Sequence, residues 1–246
     1  MIRVYRKIYG ENEMKSIAII PARSGSKGLK DKNIKKIAEK PLLAYSIEAA
    51  IQSACFQEVM VSTDSEMYAE IAEQYGAKVP FLRSEENASD HADSWMVVQE
   101  VLEQYNKSGY QFDTVCLLQP TSPLRTSEDI INAYSDLLRR KADAITSVCE
   151  VDHSPNWSMI LPENHSLKQF RNDAKSSLQR QKLDKYYRLN GAIYIRKIQY
   201  ACEKVDVRND REFAYIMDRQ RSIDIDTIDD FEYAEYLMKK LKKDKK

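Results

Sequence analysis

Two stretches of this 246-residue chain hold residue types that can do chemistry together. In "IAIIPARSGSKGLKDKN", residues 17–33, Arg23, Ser24, Gly25, Ser26, Lys27, Gly28, Lys30 and Lys32 concentrate positive charge where glycines let backbone amides approach a ligand closely. A polyphosphate needs that combination. The stretch fits neither a P-loop, which requires G-x-x-x-x-G-K-[ST], nor the G-x-G-x-x-G dinucleotide fingerprint, so an ordinary basic turn stands as the alternative. Far along the chain, "SIDIDT" sets Asp224 and Asp226 two apart. Extended backbone there would point both carboxylates to one face, near enough to share a hard cation. A half-exposed edge strand would produce the same alternation of Asp and Ile.

Both stretches need a scaffold. The apolar run 17–20 reads as a strand covered on both faces in a parallel sheet, which puts the basic loop at the carboxyl edge, where ligands of open α/β sheets collect. Further strand-like runs occur at 59–61, 79–82, 115–118, 144–148, 192–195 and 213–217. Between them, Leu43/Ile47/Ile51, Met67/Ile71/Tyr75 and Trp95/Val98/Leu102/Tyr105 repeat at helical spacing, as do Ile130, Tyr134 and Leu137 behind a Thr126 N-cap. Alternating strands and helices predict βαβ units and a mainly parallel sheet. A last helix spans about 228–241 and ends in a solvated basic tail. Gln119 follows a buried strand and so faces the same crevice as the basic loop. Residues 151–188 break the alternation with weak periodicity and many polar side chains, and read as an inserted arm that reaches a partner subunit.

Bulk properties exclude several classes. Lys+Arg and Asp+Glu both number 38, so no global field favours nucleic acid or an anionic membrane surface. No apolar run approaches the roughly 20 residues that span a bilayer, and the N-terminus lacks the apolar core of a signal peptide. Cys55, Cys116, Cys149 and Cys202 stand singly, without metal-type spacing, and read as reduced core thiols of a cytoplasmic protein. His91 and His153 join no catalytic constellation. The length suits one large α/β domain, 14–246, behind an N-terminal extension, 1–13.

The motifs "IIPARSGSKGLKDKN", "VSTDSEMYAEIAEQYGA", "LRSEENASDHADS", "LLQPTSPLRT", "RLNGAIYI" and "SIDIDTIDDFEYAE" occur in order across 16–238. Together they resemble the acylneuraminate cytidylyltransferases, also called CMP-sialic acid synthetases. The resemblance implies a single Rossmann-like α/β nucleotidyltransferase domain with an inserted dimerisation arm at about 151–188, acting as a homodimer. It implies transfer of CMP from CTP to the 2-hydroxyl of a nonulosonic acid, most simply N-acetylneuraminate, with release of pyrophosphate. Mg²⁺ is the implied cofactor, with Mn²⁺ as a substitute.

Site roles follow position by position. Arg23 and Lys32 match triphosphate-binding positions, where two fixed cations can neutralise charge on the transferring phosphoryl and the leaving pyrophosphate. Ser26 and Asn33 match polar positions of the same pocket, and Arg83 and Ser94 match nucleotide contacts. Read alone, Arg83 equally suits an ion pair with Glu85 or Glu86. Gln119, Arg180 and Arg188 match sugar-site positions, the arginines offering a bidentate fork to a carboxylate; surface arginines on an arm are the alternative for Arg180. Asn190 matches a supporting position. Asp226 matches a Mg²⁺ ligand, and Asp224 either a second ligand or the group that helps deprotonate the sugar hydroxyl. The chain departs from the pattern after "HSP": many relatives carry a lysine there, whereas Asn156 and Trp157 stand here. That change leaves legionaminate, another nonulosonate or, more remotely, Kdo as alternative sugars. A catalytically silent nucleotide-binding relative is the reading from another class.

Overall fold

The computed structural model describes residues 14–25, 28–89, 93–168, 184–201 and 211–243. Ser26, Arg180, His91, Cys202 and the extension 1–13, all singled out above, lie outside them. Among the described residues eight strands are formed: β1 Ser16–Pro21, β2 Lys36–Ile37, β3 Lys40–Pro41, β4 Glu58–Ser62, β5 Thr114–Leu117, β6 Ala144–Glu150, β7 Tyr187–Lys197 and β8 Glu212–Ile216. The helices are α1 Leu42–Ser53, α2 Glu66–Gln74, α3 Glu85–Ala88, α4 Ser94–Lys107, α5 Ser127–Arg139, α6 Ile198–Ala201 and α7 Ile228–Lys243.

Six strands make one sheet in the order β4-β1-β5-β7-β6-β8, and β2 and β3 form a separate hairpin. β1 pairs in parallel with β4 and β5, and β6 in parallel with β8, while β7 alone runs against its neighbours. The sheet is therefore mainly parallel, as the alternating pattern predicts. Every residue from Ile17 to Ile20 is buried. Ala18 and Ile20 pack with Leu43 and Ile47 of α1 and Ile130, Tyr134 and Leu137 of α5. Ile17 and Ile19 pack on the opposite face with Val98, Val101 and Leu102 of α4. Burial on both faces is why this strand reads as an unbroken apolar run. α7 closes a third cluster through Phe231, Ala234 and Leu237 against Ile37, Leu42, Leu124 and Ile225.

Two elements differ from expectation. Residues 79–82 do not form a strand: Lys78 bridges to β4, with its amide donating to Val59 and its carbonyl accepting from Val61, and the chain then leaves the sheet. Pro80 lacks the amide that a next ladder bond would use. The two-residue strands β2 and β3 carry no apolar run. Their turn depends on positive φ at Ala38 and Glu39, and the Ala38 amide is capped by Glu235 of α7. Thr126 does cap α5, in a reciprocal capping box with Asp129. The end of the expected arm belongs to the sheet, since Tyr187 and Arg188 pair with Glu150 and Cys149. The excursion between β6 and β7 includes a 3₁₀ turn, Pro155–Trp157, and an ion pair between Asp152 and Arg219 at 3.0 Å.

Candidate active site

A cleft of about 440 Å³ opens at the carboxyl edge of β1, β4 and β5. Pro21, Arg23, Gly28, Lys32, Asn33, Arg83, Asn87, Ser89, Ser94, Val97, Gln119, Pro120, Thr121 and Asp226 line it. Eight residues singled out from sequence thus meet in one place: Arg23, Gly28, Lys32, Asn33, Arg83, Ser94, Gln119 and Asp226.

The basic loop is fixed by contacts from several elements. Ser24 donates its amide and its hydroxyl to the Asp64 carboxylate, each at 2.7 Å. Asp64 lies just past β4. Burial would raise its pKa, but the two Ser24 hydrogen bonds and the Arg83 charge outweigh that and hold it below the ordinary value. Asn33 donates to the Arg23 carbonyl at 3.1 Å, closing the loop on itself, and Arg23 donates to the Ala88 carbonyl at 3.1 Å. Asn33 is therefore a wall residue whose amide also serves the loop. A side chain at Gly28 would meet the Asp226 carbonyl at 2.9 Å, so only glycine lets the loop lie so close to the segment around 226.

Lys32 crosses that approach. Its ammonium donates to the Ile225 carbonyl at 2.5 Å and to the Asp226 carboxylate at 3.2 Å. Arg83 is buried and donates to the Ser62 hydroxyl at 3.0 Å and the Ser62 carbonyl at 2.5 Å, so these hydrogen bonds run to β4 and not to Glu85 or Glu86. Burial pushes its pKa down to about 10; the Arg23 charge pushes the same way, and Asp64 and Glu100 partly offset both. Two guanidinium groups that repel one another across a cleft favour an anion between them. Ser94 begins α4, where Asp93 caps the helix by accepting from the Trp95 and Met96 amides.

Gln119 lines the same cleft from a loop held by Arg125. That guanidinium, only 3% exposed, donates to the carbonyls of Gln119, Ser122 and Ala192 at 3.3, 3.4 and 2.8 Å and also to the Ser46 hydroxyl. Burial lowers its pKa to about 10. β7 then brings Gly191, at φ +72°, against this loop; a Cβ there would lie 2.6 Å from Gln119 Oε1, 3.2 Å from Ser122 Oγ and 3.6 Å from Asp224 Oδ2. Asp224 thus lies near Gln119, although it is not among the residues that line the cleft. Its Oδ1 is buried and without a hydrogen-bond partner, and its charge adds to burial in raising the Tyr194 hydroxyl pKa.

Arg188 is exposed and does not line the cleft; it donates to the carbonyls of Leu189 and Ser222. Asn190 is wholly committed inside the protein, to Ser222, Met217, Ser147 and the Ala192 amide. His153 lies against Trp157 with the two rings tilted by 44° and their centroids 6.4 Å apart. Sequence reading missed Asn87, Ser89, Thr121, Asp64 and Arg125. Asp64 carried a usable signal, being a polar residue just beyond a strand at the ligand-bearing edge. Asn87 and Ser89 carried none.

Among the described residues no group of three or more His, Cys, Asp or Glu side chains could hold a metal. Asp224 and Asp226 offer two hard carboxylates, one with an orphaned buried oxygen. That donor set fits a divalent ion that takes its remaining ligands from phosphate and water.

The sequence profile of a family described as cytidylyltransferase matches residues 17–245. The N-acylneuraminate cytidylyltransferase of Escherichia coli is 41% identical over 94% of the chain, which spans only 54% of that relative's length. The CMP-N,N'-diacetyllegionaminic acid synthase of Legionella pneumophila is 38% identical over 92% of the chain and 97% of its own. The pseudaminic acid cytidylyltransferase of Campylobacter jejuni is 35% identical, again over 92% of the chain and 97% of its own. In fold, the chain superposes on a CMP:2-keto-3-deoxy-manno-octonic acid synthetase complexed with CTP, with a TM-score of 0.68 and 17% identity over 92% of this chain and 99% of that one.

Proposed function

The chain belongs to the cytidylyltransferase family, and from that premise we propose that it transfers CMP from CTP to the 2-hydroxyl of a nonulosonic acid. The hydroxyl oxygen attacks the α-phosphorus, the bond to the β-phosphate oxygen breaks, pyrophosphate leaves, and the hydroxyl proton passes to a base. The observation that carries this reading is the meeting of Arg23, Lys32, Arg83, Gln119 and Asp226 in the lining of a single cleft, with Asp224 close to Gln119 across Gly191.

In this reading Arg23 and Lys32 meet the triphosphate and stabilise negative charge as it moves to the leaving group. Ser26, Asn33, Arg83 and Ser94 complete the nucleotide end. Gln119 orients the sugar and Arg180 its carboxylate, while Arg188 shapes the site by holding the Ser222 carbonyl two residues before Asp224. Asp226 and Asp224 would hold Mg²⁺, or Mn²⁺, which when bound supplies charge neutralisation between phosphate oxygens. Asp224, beside Gln119, also suits acceptance of the hydroxyl proton.

N-acetylneuraminate is the proposed acceptor. The Legionella and Campylobacter relatives, matched over nearly their whole lengths, favour legionaminate or pseudaminate as the second reading. We assign the catalytic unit to 14–246 with its arm at about 151–188, and a homodimer formed through that arm. Ile160, Leu161, Leu167, Tyr187 and Leu189, all exposed, support an interface there. The free buried thiols Cys55, Cys116 and Cys149 suit the cytoplasm, and among the described residues no helix is long and apolar enough to cross a membrane.

The test is pyrophosphate release with Mg²⁺ and each nucleoside triphosphate, offering N-acetylneuraminate, legionaminate, pseudaminate and Kdo separately. Release with CTP and one nonulosonate establishes the reaction and its acceptor; CTP binding without release from any acceptor favours the silent relative.

A further inference from the structure

The basic loop holds two glycines and a run of cationic side chains, and such a segment loses conformational freedom each time it closes on a ligand. In this fold both of its ends are tied to one short piece of chain, the turn from β4 into α2. Asp64 anchors the first end through Ser24. Tyr68 anchors the second: its ring is wholly buried in the cluster with Ala22, Ile47 and Ala72, and its hydroxyl donates to Asp31 Oδ1 at 3.1 Å.

Asp31 is the pivot. It holds a left-handed backbone conformation, φ 51° and ψ 33°, which a non-glycine residue keeps only where its surroundings impose it. Its carbonyl accepts from the amides of Ile34 at 3.1 Å and Lys35 at 3.0 Å, which winds the 3₁₀ turn Lys32–Ile34. The pose of Asp31 therefore sets the direction in which Lys32 leaves the backbone.

We propose that Tyr68 is a positioning residue for nucleotide binding, whose hydroxyl holds Asp31 in its left-handed pose and so aims Lys32 at the triphosphate, with Asp64 securing the other end of the loop. The role is distinct from packing, because the ring fills the core whether or not the hydroxyl is present. It rests on the reading of the cleft as a CTP site.

Tyr68→Phe removes the hydrogen bond and keeps the ring. With the purified full-length chain, Mg²⁺ and the accepted nonulosonate, KM for CTP is expected to rise about fivefold to tenfold while KM for the sugar stays within about twofold. In a Lys32→Met background the same substitution is expected to change KM for CTP less than about twofold, since residues acting through one another are not additive. An unchanged KM for CTP, an equal rise in both KM values, or a full effect persisting in Lys32→Met would each overturn the proposal. Backbone hydrogen exchange at residues 32–35 reads the same positioning without turnover. Faster exchange in Tyr68→Phe supports the proposal, and identical exchange refutes it. Wild-type protein that releases no pyrophosphate from CTP would overturn the activity reading instead, leaving the exchange measurement to judge Tyr68.

Discussion

Lys32 and Asp226, 194 residues apart in the chain, hold opposite charges 3.2 Å apart across the cleft. The pair is unequal: the Lys32 side chain is 13% exposed and that of Asp226 76%. The ammonium is also bound to the Ile225 carbonyl, so the lysine is docked and the carboxylate is the more accessible member. A triphosphate entering here must share the hydrogens of Lys32 with Asp226.

Lys32→Met should therefore lower kcat about 100-fold with little change in KM for the sugar, as expected for a cation whose contact strengthens as charge develops on the phosphates. Steady-state kinetics with both substrates varied gives the split. An unchanged kcat would assign Lys32 to the structure of the loop alone.

Asp226→Asn should abolish Mg²⁺-dependent turnover yet leave the thermal midpoint nearly unchanged, because an ion pair with so exposed a partner contributes under about 1 kcal/mol. Titration with Mn²⁺ followed by electron paramagnetic resonance, in the presence of CTP, should show weaker metal binding in the variant. Equal binding would move the metal away from Asp226.

Gly191→Ala places a methyl group 2.6 Å from Gln119 Oε1 on backbone at φ +72°. The strained backbone should cost about 1–3 kcal/mol of stability, and displacement of Gln119 should raise KM for the sugar more than KM for CTP. Urea denaturation and the two KM values check the two halves separately.

The Asp64–Ser24 anchor has a defined pH window. Asp64 is held below its ordinary value of 3.8, so the stabilisation is complete above about pH 5 and disappears as pH falls through the folded value. The difference in thermal midpoint between wild type and Asp64→Asn should be constant from pH 5 to 8 and shrink below pH 4. A difference that grows on acidification would mean that Asp64 is protonated in its anchor.

What could be read from the chain divides along physical lines. β1 and its basic loop were legible because one strand buried on both faces leaves an unbroken apolar run, and the charge follows at once. Asp226 was legible from the family resemblance of its block, because its spacing from Asp224 alone also suits an edge strand. Tyr68 and Arg125 were not, since their roles lie in partners 37 and 67 residues away, and nothing local distinguishes a buried tyrosine from any other core ring. The expected strand at 79–82 shows the converse error: "VPFL" has the right apolarity, but its proline removes a ladder donor. Arg188 has the predicted residue type near the predicted place, yet its guanidinium turns to the Ser222 carbonyl instead of into the cleft.

β7 alone reverses direction within the sheet. β6 ends and β7 begins side by side at one edge, where Glu150 pairs with Tyr187, so the two strands need no crossover between them. The length and composition of their connection can change without a compensating change in any helix that covers the sheet. The elements assigned to the nucleotide under the proposed function, β1, β4 and α4, take no part in that connection. On the proposed function, acceptor choice and donor choice are thereby separated, and exchanging that one segment should alter the sugar while CTP remains the donor.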